Sequence, residues 1–282
     1  MKVIHSIEQL RKIVDRQRKE EKTIGFVPTM GFLHEGHLAL AKKAREENDI
    51  VIMSIFVNPA QFGPGEDYET YPRNEQRDFA LATEVGVDLV FNPGVSEMYP
   101  RESSIQILPG HQANALCGLT RPGHFDGVLK VILKLFNIVN PNRSYFGMKD
   151  AQQLAIIETF VEDFNFNTDI VRVPIVRDAD GLAKSSRNVR LSEQERTEAP
   201  VIYQALQAGR QLFKENHNVE ETESQVRKLI EEKSPGRVDY VSLLAYPSLE
   251  KWTSASQEAI IACAVHFEKT RLIDNLILPT KG

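Results

Sequence analysis

Between residues 24 and 173, short apolar runs alternate with longer stretches that carry apolar residues at helical spacing. No other feature restricts the fold as much. Strands separated by helices of ten or more residues need crossover connections, and crossovers build a parallel sheet with helices on its faces. The strand-like runs are residues 24–27, 50–57, 88–91, 144–146 and 170–173, and the helix-like stretches are 37–47, 73–85, 127–139 and 151–164. An earlier helix is expected after Ser6-Ile7-Glu8-Gln9, which has the form of a capping box ahead of Leu10, Ile13 and Val14. Ligands of such sheets bind beyond the carboxyl ends of the strands, so chemistry is expected in the loops after Val27, Val57 and Phe146.

The pattern changes near residue 176. Residues 201–213 and 219–232 read as charged amphipathic helices, and 239–245, 259–265 and 271–278 as strands with no long helix between them. That suits an antiparallel sheet in a smaller α+β domain. The expected division is a parallel-sheet α/β domain over residues 1–175 and an α+β domain over 176–282, with Pro174 interrupting the apolar run at the join.

Composition sets limits on function. The net charge of −5 disfavours a nucleic-acid partner, because phosphate backbones select basic faces. The only cysteines, Cys117 and Cys263, lie far apart and in no metal-ligand spacing. They read as reduced thiols of a cytoplasmic protein, with one long-range disulfide as the alternative. The start, Met1 to Glu8, lacks the apolar core of a secretory signal, and the run 50–57 is too short to span a bilayer, so no membrane partner is expected.

The strongest local signal is Pro28-Thr29-Met30-Gly31-Phe32-Leu33-His34-Glu35-Gly36-His37. A strand ends, a turn follows, and a helix is expected to open near His37. Backbone N–H groups at a helix N-terminus attract phosphate, and imidazoles can donate to phosphate oxygens as charge builds on a leaving pyrophosphate. A zinc site of the form His-Glu-x-x-His would need histidine at position 38, which is Leu38. Further strings stand in order along the chain: Phe56-Val57-Asn58-Pro59-Ala60-Gln61-Phe62-Gly63, Tyr71-Pro72-Arg73, Met98-Tyr99-Pro100, Arg121-Pro122-Gly123-His124-Phe125-Asp126-Gly127, Phe146-Gly147-Met148-Lys149-Asp150-Ala151-Gln152-Gln153, Asp180-Gly181-Leu182-Ala183-Lys184-Ser185-Ser186-Arg187-Asn188 and Arg271-Leu272-Ile273-Asp274-Asn275. Taken alone, Asn58-Pro59 reads as a turn, 121–127 as a loop with Asp126 as a helix N-cap, Asp78 as part of a solvated helix face, and 180–188 as a surface loop.

His34-Glu35-Gly36-His37 matches the HxGH motif of the nucleotidylyltransferase superfamily, which includes class I aminoacyl-tRNA synthetases. The ten-residue string around it, with the other strings in order, resembles the pantothenate synthetase family. The resemblance implies a Rossmann-like first domain that binds ATP and pantoate, and a C-terminal lid. It places Met30, Gly31, Phe32, Leu33, His34, Glu35, Gly36 and His37 at the nucleotide, with Gly147, Met148, Lys149 and Asp150 from a second segment and Val176, Lys184, Ser185, Ser186 and Arg187 from a third. The third segment resembles the KMSKS loop of class I synthetases; Lys184 stands where many relatives have Met, an extra cation that could change ATP affinity. Asn58, Gln61, Arg121, His124 and Gln153 fall to pantoate, and Asp78 to the Mg²⁺ of the nucleotide. His34, His37, Lys149 and Arg187 are the expected catalytic residues.

The chemistry so implied activates pantoate as an acyl adenylate and passes the acyl group to the amine of β-alanine. A homodimer is implied too. The competing readings are an HxGH nucleotidyltransferase passing AMP to a phosphate acceptor, a tRNA-binding remnant of a class I synthetase, and a non-catalytic nucleotide sensor.

Overall fold

Ile24, Phe26 and Val27 expose no surface at all, as a strand covered by helices on both faces requires. In the computed structural model, which describes residues 1–256 and 258–279, they lie in the interior of a six-stranded sheet. Its strands are β1 (Lys2–Ile4), β2 (Ile24–Thr29), β3 (Ile50–Ile55), β4 (Leu89–Phe91), β5 (Arg143–Gly147) and β6 (Asp169–Val173), in the order β1-β4-β3-β2-β5-β6, and every neighbouring pair is parallel. On one face, Val27, Val51, Met53 and Val90 pack with Leu40, Ala41 and Ala44 of the helix Glu35–Glu47 and Ala82 of the helix Glu75–Glu84. Elsewhere Phe26 meets Phe136 of the helix His124–Val139 edge-on, at 6.4 Å between ring centroids.

The strand order locates the crevice. From β2 the chain moves outward through β3 and β4, then returns to lay β5 on the other side of β2. The carboxyl ends of β2 and β5 therefore flank the point where the order reverses, which is where open α/β sheets bind ligands. The β2–β3 register ends on Thr29↔Ile55. Met30 and Phe56 thus leave the sheet at the same level, so the first two strings begin side by side.

The second sheet is antiparallel, in the order β7-β8-β9, from β7 (Arg237–Tyr246), β8 (Glu258–His266) and β9 (Arg271–Pro279). Val238, Ile261, Cys263 and Leu272 of this sheet share a buried core with Ile202, Leu206 and Phe213 of the helix Val201–Asn216 and with Val226 and Ile230 of the helix Val219–Lys233. The chain divides into two compact units, one of residues 1–109, 121–148 and 156–174, the other of 110–120, 149–155 and 175–282. The second unit therefore takes in two segments that precede residue 175, and one of them carries Lys149, Asp150, Gln152 and Gln153.

Several local expectations need correction. β1 went unread because three residues are too few to show a period. β3 stops at Ile55, so Phe56 and Val57 already belong to the loop. The helix after β2 starts at Glu35 rather than near His37, with His34 as its N-cap. Asp126 lies inside the first turn of the helix His124–Val139, whose N-cap is Gly123 in a left-handed conformation. Among the described residues no helix is long and apolar enough to cross a membrane, and both cysteines are free thiols.

Candidate active site

The loop after β2 is held from beneath by one buried carboxylate. Gly31 has φ +83° and Phe32 φ 49°. These consecutive left-handed residues turn two N–H groups in one direction, a small anion-binding concavity. Asp78 fills it: Oδ2 accepts from Phe32 N and Oδ1 from Leu33 N, each at 2.7 Å. Any side chain at 31 would collide, since a Cβ there would lie 3.0 Å from Asp78 Oδ2 and 2.9 Å from Ile55 Cγ2. Arg77 secures the same turn by donating to Leu33 O at 2.7 Å. Burial raises the pKa of Asp78, against the lowering effect of the two N–H bonds. Asp78 is 1% exposed, and both of its oxygens are engaged in holding the loop. Among the described residues, no group of three or more His, Cys, Asp or Glu is placed to hold a metal ion.

Above that anchor stand the two histidines. His34 Nδ1 accepts from Gly36 N at 3.1 Å, and His37 Nδ1 accepts from His34 N at 3.4 Å, so the pair forms a reciprocal cap on the helix Glu35–Glu47. The rings lie 4.0 Å apart between centroids, tilted by 36°. A neutral imidazole whose Nδ1 accepts carries its proton on Nε2. The capping geometry thus selects one tautomer for both rings, with Nε2–H as the donor.

The loop after β3 adds amides beside this turn. Asn58 Nδ2 donates to Gln61 Oε1 at 3.0 Å and to Gly127 O at 3.1 Å, while Tyr99 donates its hydroxyl to Asn58 Oδ1 at 2.7 Å. Burial pushes the Tyr99 hydroxyl well up, which keeps it a donor. Gln61 Nε2 reaches Met30 Sδ at 3.2 Å, joining the second string to the first. Arg121 and His124 stand behind Gln61. His124 Nδ1 donates to Gln61 O at 2.8 Å, so its Nε2 accepts from Arg121 Nη1 at 3.0 Å. Arg121 also grips Glu66 through Nε and Nη2, at 2.8 and 2.7 Å. Burial alone would raise the Glu66 pKa, but the hydrogen bonds and charge of Arg121 outweigh it and hold the carboxyl below its usual value. The Arg121 charge is therefore matched inside the protein. Glu66 and Arg77 carried no local signal, and Tyr99 stood in the string Met98-Tyr99-Pro100 with no site role read from it: a glutamate in a Gly-Pro-Gly-Glu turn looks like any loop acid.

At the end of β5, a Cβ on Gly147 would meet nothing within 4 Å, so the backbone there is open to close approach, and Met148 follows it. The remaining expected residues lie in the second unit. Lys149 Nζ is 3.6 Å from Asp150 Oδ1. Of the two adjacent glutamines, Gln152 is committed: it accepts from Cys117 N at 2.9 Å and donates to the carbonyls of Gln112 and Ala115 at 2.9 and 2.7 Å. Gln153 is partly exposed and stands outside that network.

The third segment is a folded turn. Lys184 N donates to Val176 O and Asp178 N to Leu182 O. Ser185 then caps the short 3₁₀ turn Ser186–Arg190, accepting from Arg187 N at 3.2 Å. Lys184 pairs with Asp178 at 2.6 Å. It is thus an internally matched cation rather than a surplus one.

The chain is similar to known proteins along its length. A family model described as pantoate-beta-alanine ligase matches residues 2–277. A pantothenate synthetase of Lysinibacillus sphaericus is 57% identical over 281 residues, covering 100% of this chain and 99% of that protein. One from Bacillus subtilis is 52% identical over 278 residues, covering 99% and 97%. The crystal structure of pantothenate synthetase from Thermus thermophilus superposes with a TM-score of 0.89 at 44% identity, covering 98% of this chain and 99% of that one. A pantoate-beta-alanine ligase from Francisella tularensis, crystallised with beta-gamma ATP and beta-alanine, gives 0.82 at 38% identity, covering 100% and 98%. The chain therefore belongs to the pantoate–β-alanine ligase family, the pantothenate synthetases.

Proposed function

We propose that the protein joins (R)-pantoate to β-alanine at the expense of ATP, through a pantoyl adenylate. A carboxylate does not accept an amine directly, because oxide is a very poor leaving group. In the first step a pantoate carboxylate oxygen attacks the α-phosphorus of ATP, and the bond to the β-phosphate oxygen breaks to release pyrophosphate. In the second, the amine of β-alanine attacks the acyl carbon, loses a proton, and expels AMP. Positioning and charge stabilisation supply most of the rate in such transfers.

The observation that carries this reading is the His34–His37 cap at the reversal point of the sheet. Two Nε2–H donors at the N-terminus of the helix Glu35–Glu47 suit a departing pyrophosphate. Lys149, Ser185, Ser186 and Arg187 share the phosphates, with Met30 to Gly36, Gly147, Met148, Asp150, Val176 and Lys184 around the nucleotide. Asn58, Gln61 and Gln153 orient pantoate, and Arg121 and His124 support Gln61 from behind. Magnesium enters with the substrate as the metal–ATP complex. The reading extends to a cytoplasmic homodimer, which light scattering at micromolar concentration tests.

The test of the adenylate is exchange of labelled pyrophosphate into ATP. Exchange is expected with pantoate present and β-alanine absent. Exchange that ignores pantoate, or that fails until β-alanine is added, contradicts the two-step route.

A further inference from the structure

The string Arg271-Leu272-Ile273-Asp274-Asn275 lies on β9. Asp274 and Asn275 are 4% and 3% exposed. A buried carboxylate and a buried amide side by side in a strand require partners. Successive side chains of a strand point to opposite faces, and the partners here divide accordingly.

On one face, Leu272 and Leu278 join the core beneath the helices Val201–Asn216 and Val219–Lys233. Asp274 shares that face and takes a two-pronged grip from Arg177, Nη1 to Oδ2 at 2.6 Å and Nη2 to Oδ1 at 2.8 Å. The Arg177 guanidinium also lies 3.8 Å over the Tyr203 ring and donates to Gly181 O at 3.1 Å. Arg177 opens the turn that pairs it with Ala183. The residues directly after that turn are Lys184, Ser185, Ser186 and Arg187. Asp274 therefore fixes the base of the turn that carries Lys184 to Arg187.

On the other face, Arg271 reaches Thr120 at 3.5 Å, and Asn275 Nδ2 donates to Lys149 O at 3.0 Å. Asn275 thus pins the backbone of Lys149, the cation of the segment that follows β5. We propose that Asp274 and Asn275 are positioning residues: from the two faces of one strand they set the Lys149 segment and the Ser185–Arg187 segment in fixed relation to each other. This rests on the reading of Lys149 and Arg187 as phosphate ligands.

The test is a double-mutant cycle on pantoate-dependent pyrophosphate–ATP exchange, with thermal melting of each variant. Asn275→Ala is expected to lower exchange by about 10- to 100-fold, as a misplaced ligand does. Added to Lys149→Ala, it is expected to cost almost nothing more, because the side chain it positions is already gone. Asn275→Leu keeps the buried volume without the donor and is expected to behave alike, which covers the case that the alanine variant does not fold. The Asp274 arm reads the same way, with Asp274→Asn against Arg187→Ala. Wild-type exchange in folded Asn275→Leu overturns the proposal, as do losses that multiply in the double variants, since either makes Asn275 independent of Lys149. Wild-type exchange in Lys149→Ala itself overturns the phosphate role of Lys149, and the positioning role with it.

Discussion

Asp78 receives two N–H groups and has almost no contact with water. Asp78→Asn replaces one acceptor with a donor facing another donor, which leaves a buried N–H unmatched at a cost of about 1–3 kcal/mol. Its effect on turnover should exceed its effect on melting, because the turn it holds leads directly into His34. Steady-state kinetics beside a melting curve checks both. His37→Ala removes a donor to the developing charge and is expected to lower kcat by about 10²–10³-fold, with a smaller change in the KM for pantoate. Wild-type turnover in that variant would remove the histidine pair from the mechanism. Lys184→Met should change ATP affinity by less than about 1 kcal/mol, since its ammonium is already paired with Asp178.

At the scale of elements, the helix His124–Val139 packs closely on the turn Pro59–Gln61. A Cβ on Gly127 would lie 2.0 Å from Ala60 O. Gly127→Ala must push that turn aside, at a cost of about 1–3 kcal/mol, and should raise the KM for pantoate more than that for ATP. The same turn has a pH dependence. The folded-state pKa of Glu66 is lowered, so the stability it contributes is present above its unfolded value and is lost as pH falls through the folded one. The urea midpoint should therefore decline on acidification below the ordinary carboxylate range. Glu66→Gln should flatten that decline; an unchanged profile would deny the pair its role. These elements also mark what a sequence can reveal. The continuous apolar runs announced β2 and β3, because burial on both faces leaves no other pattern. The strings marked His34, His37 and Lys149 as candidates. What stayed hidden was long-range: Glu66 meets Arg121, and Asn275 meets Lys149, across 55 and 126 residues of chain. Local spacing carries no trace of such pairs.

For the whole molecule, chain order and spatial grouping differ. Segments 110–120 and 149–155 belong to the second unit although parallel-sheet strands follow them. A boundary read from composition shifts cannot detect a segment that leaves one unit and returns. The family model spans residues 2–277 and so takes in both units, and the proposed reaction uses two acceptors in turn, the pantoate carboxylate for the adenylyl group and then the β-alanine amine for the acyl group. The most direct measurement is AMP release from Mg²⁺-ATP with pantoate and β-alanine each omitted. Release that requires both, with pantothenate formed in equal amount, is the expected result. Sustained AMP release without β-alanine, or none with both substrates present, would contradict it and favour transfer of AMP to a phosphate acceptor instead.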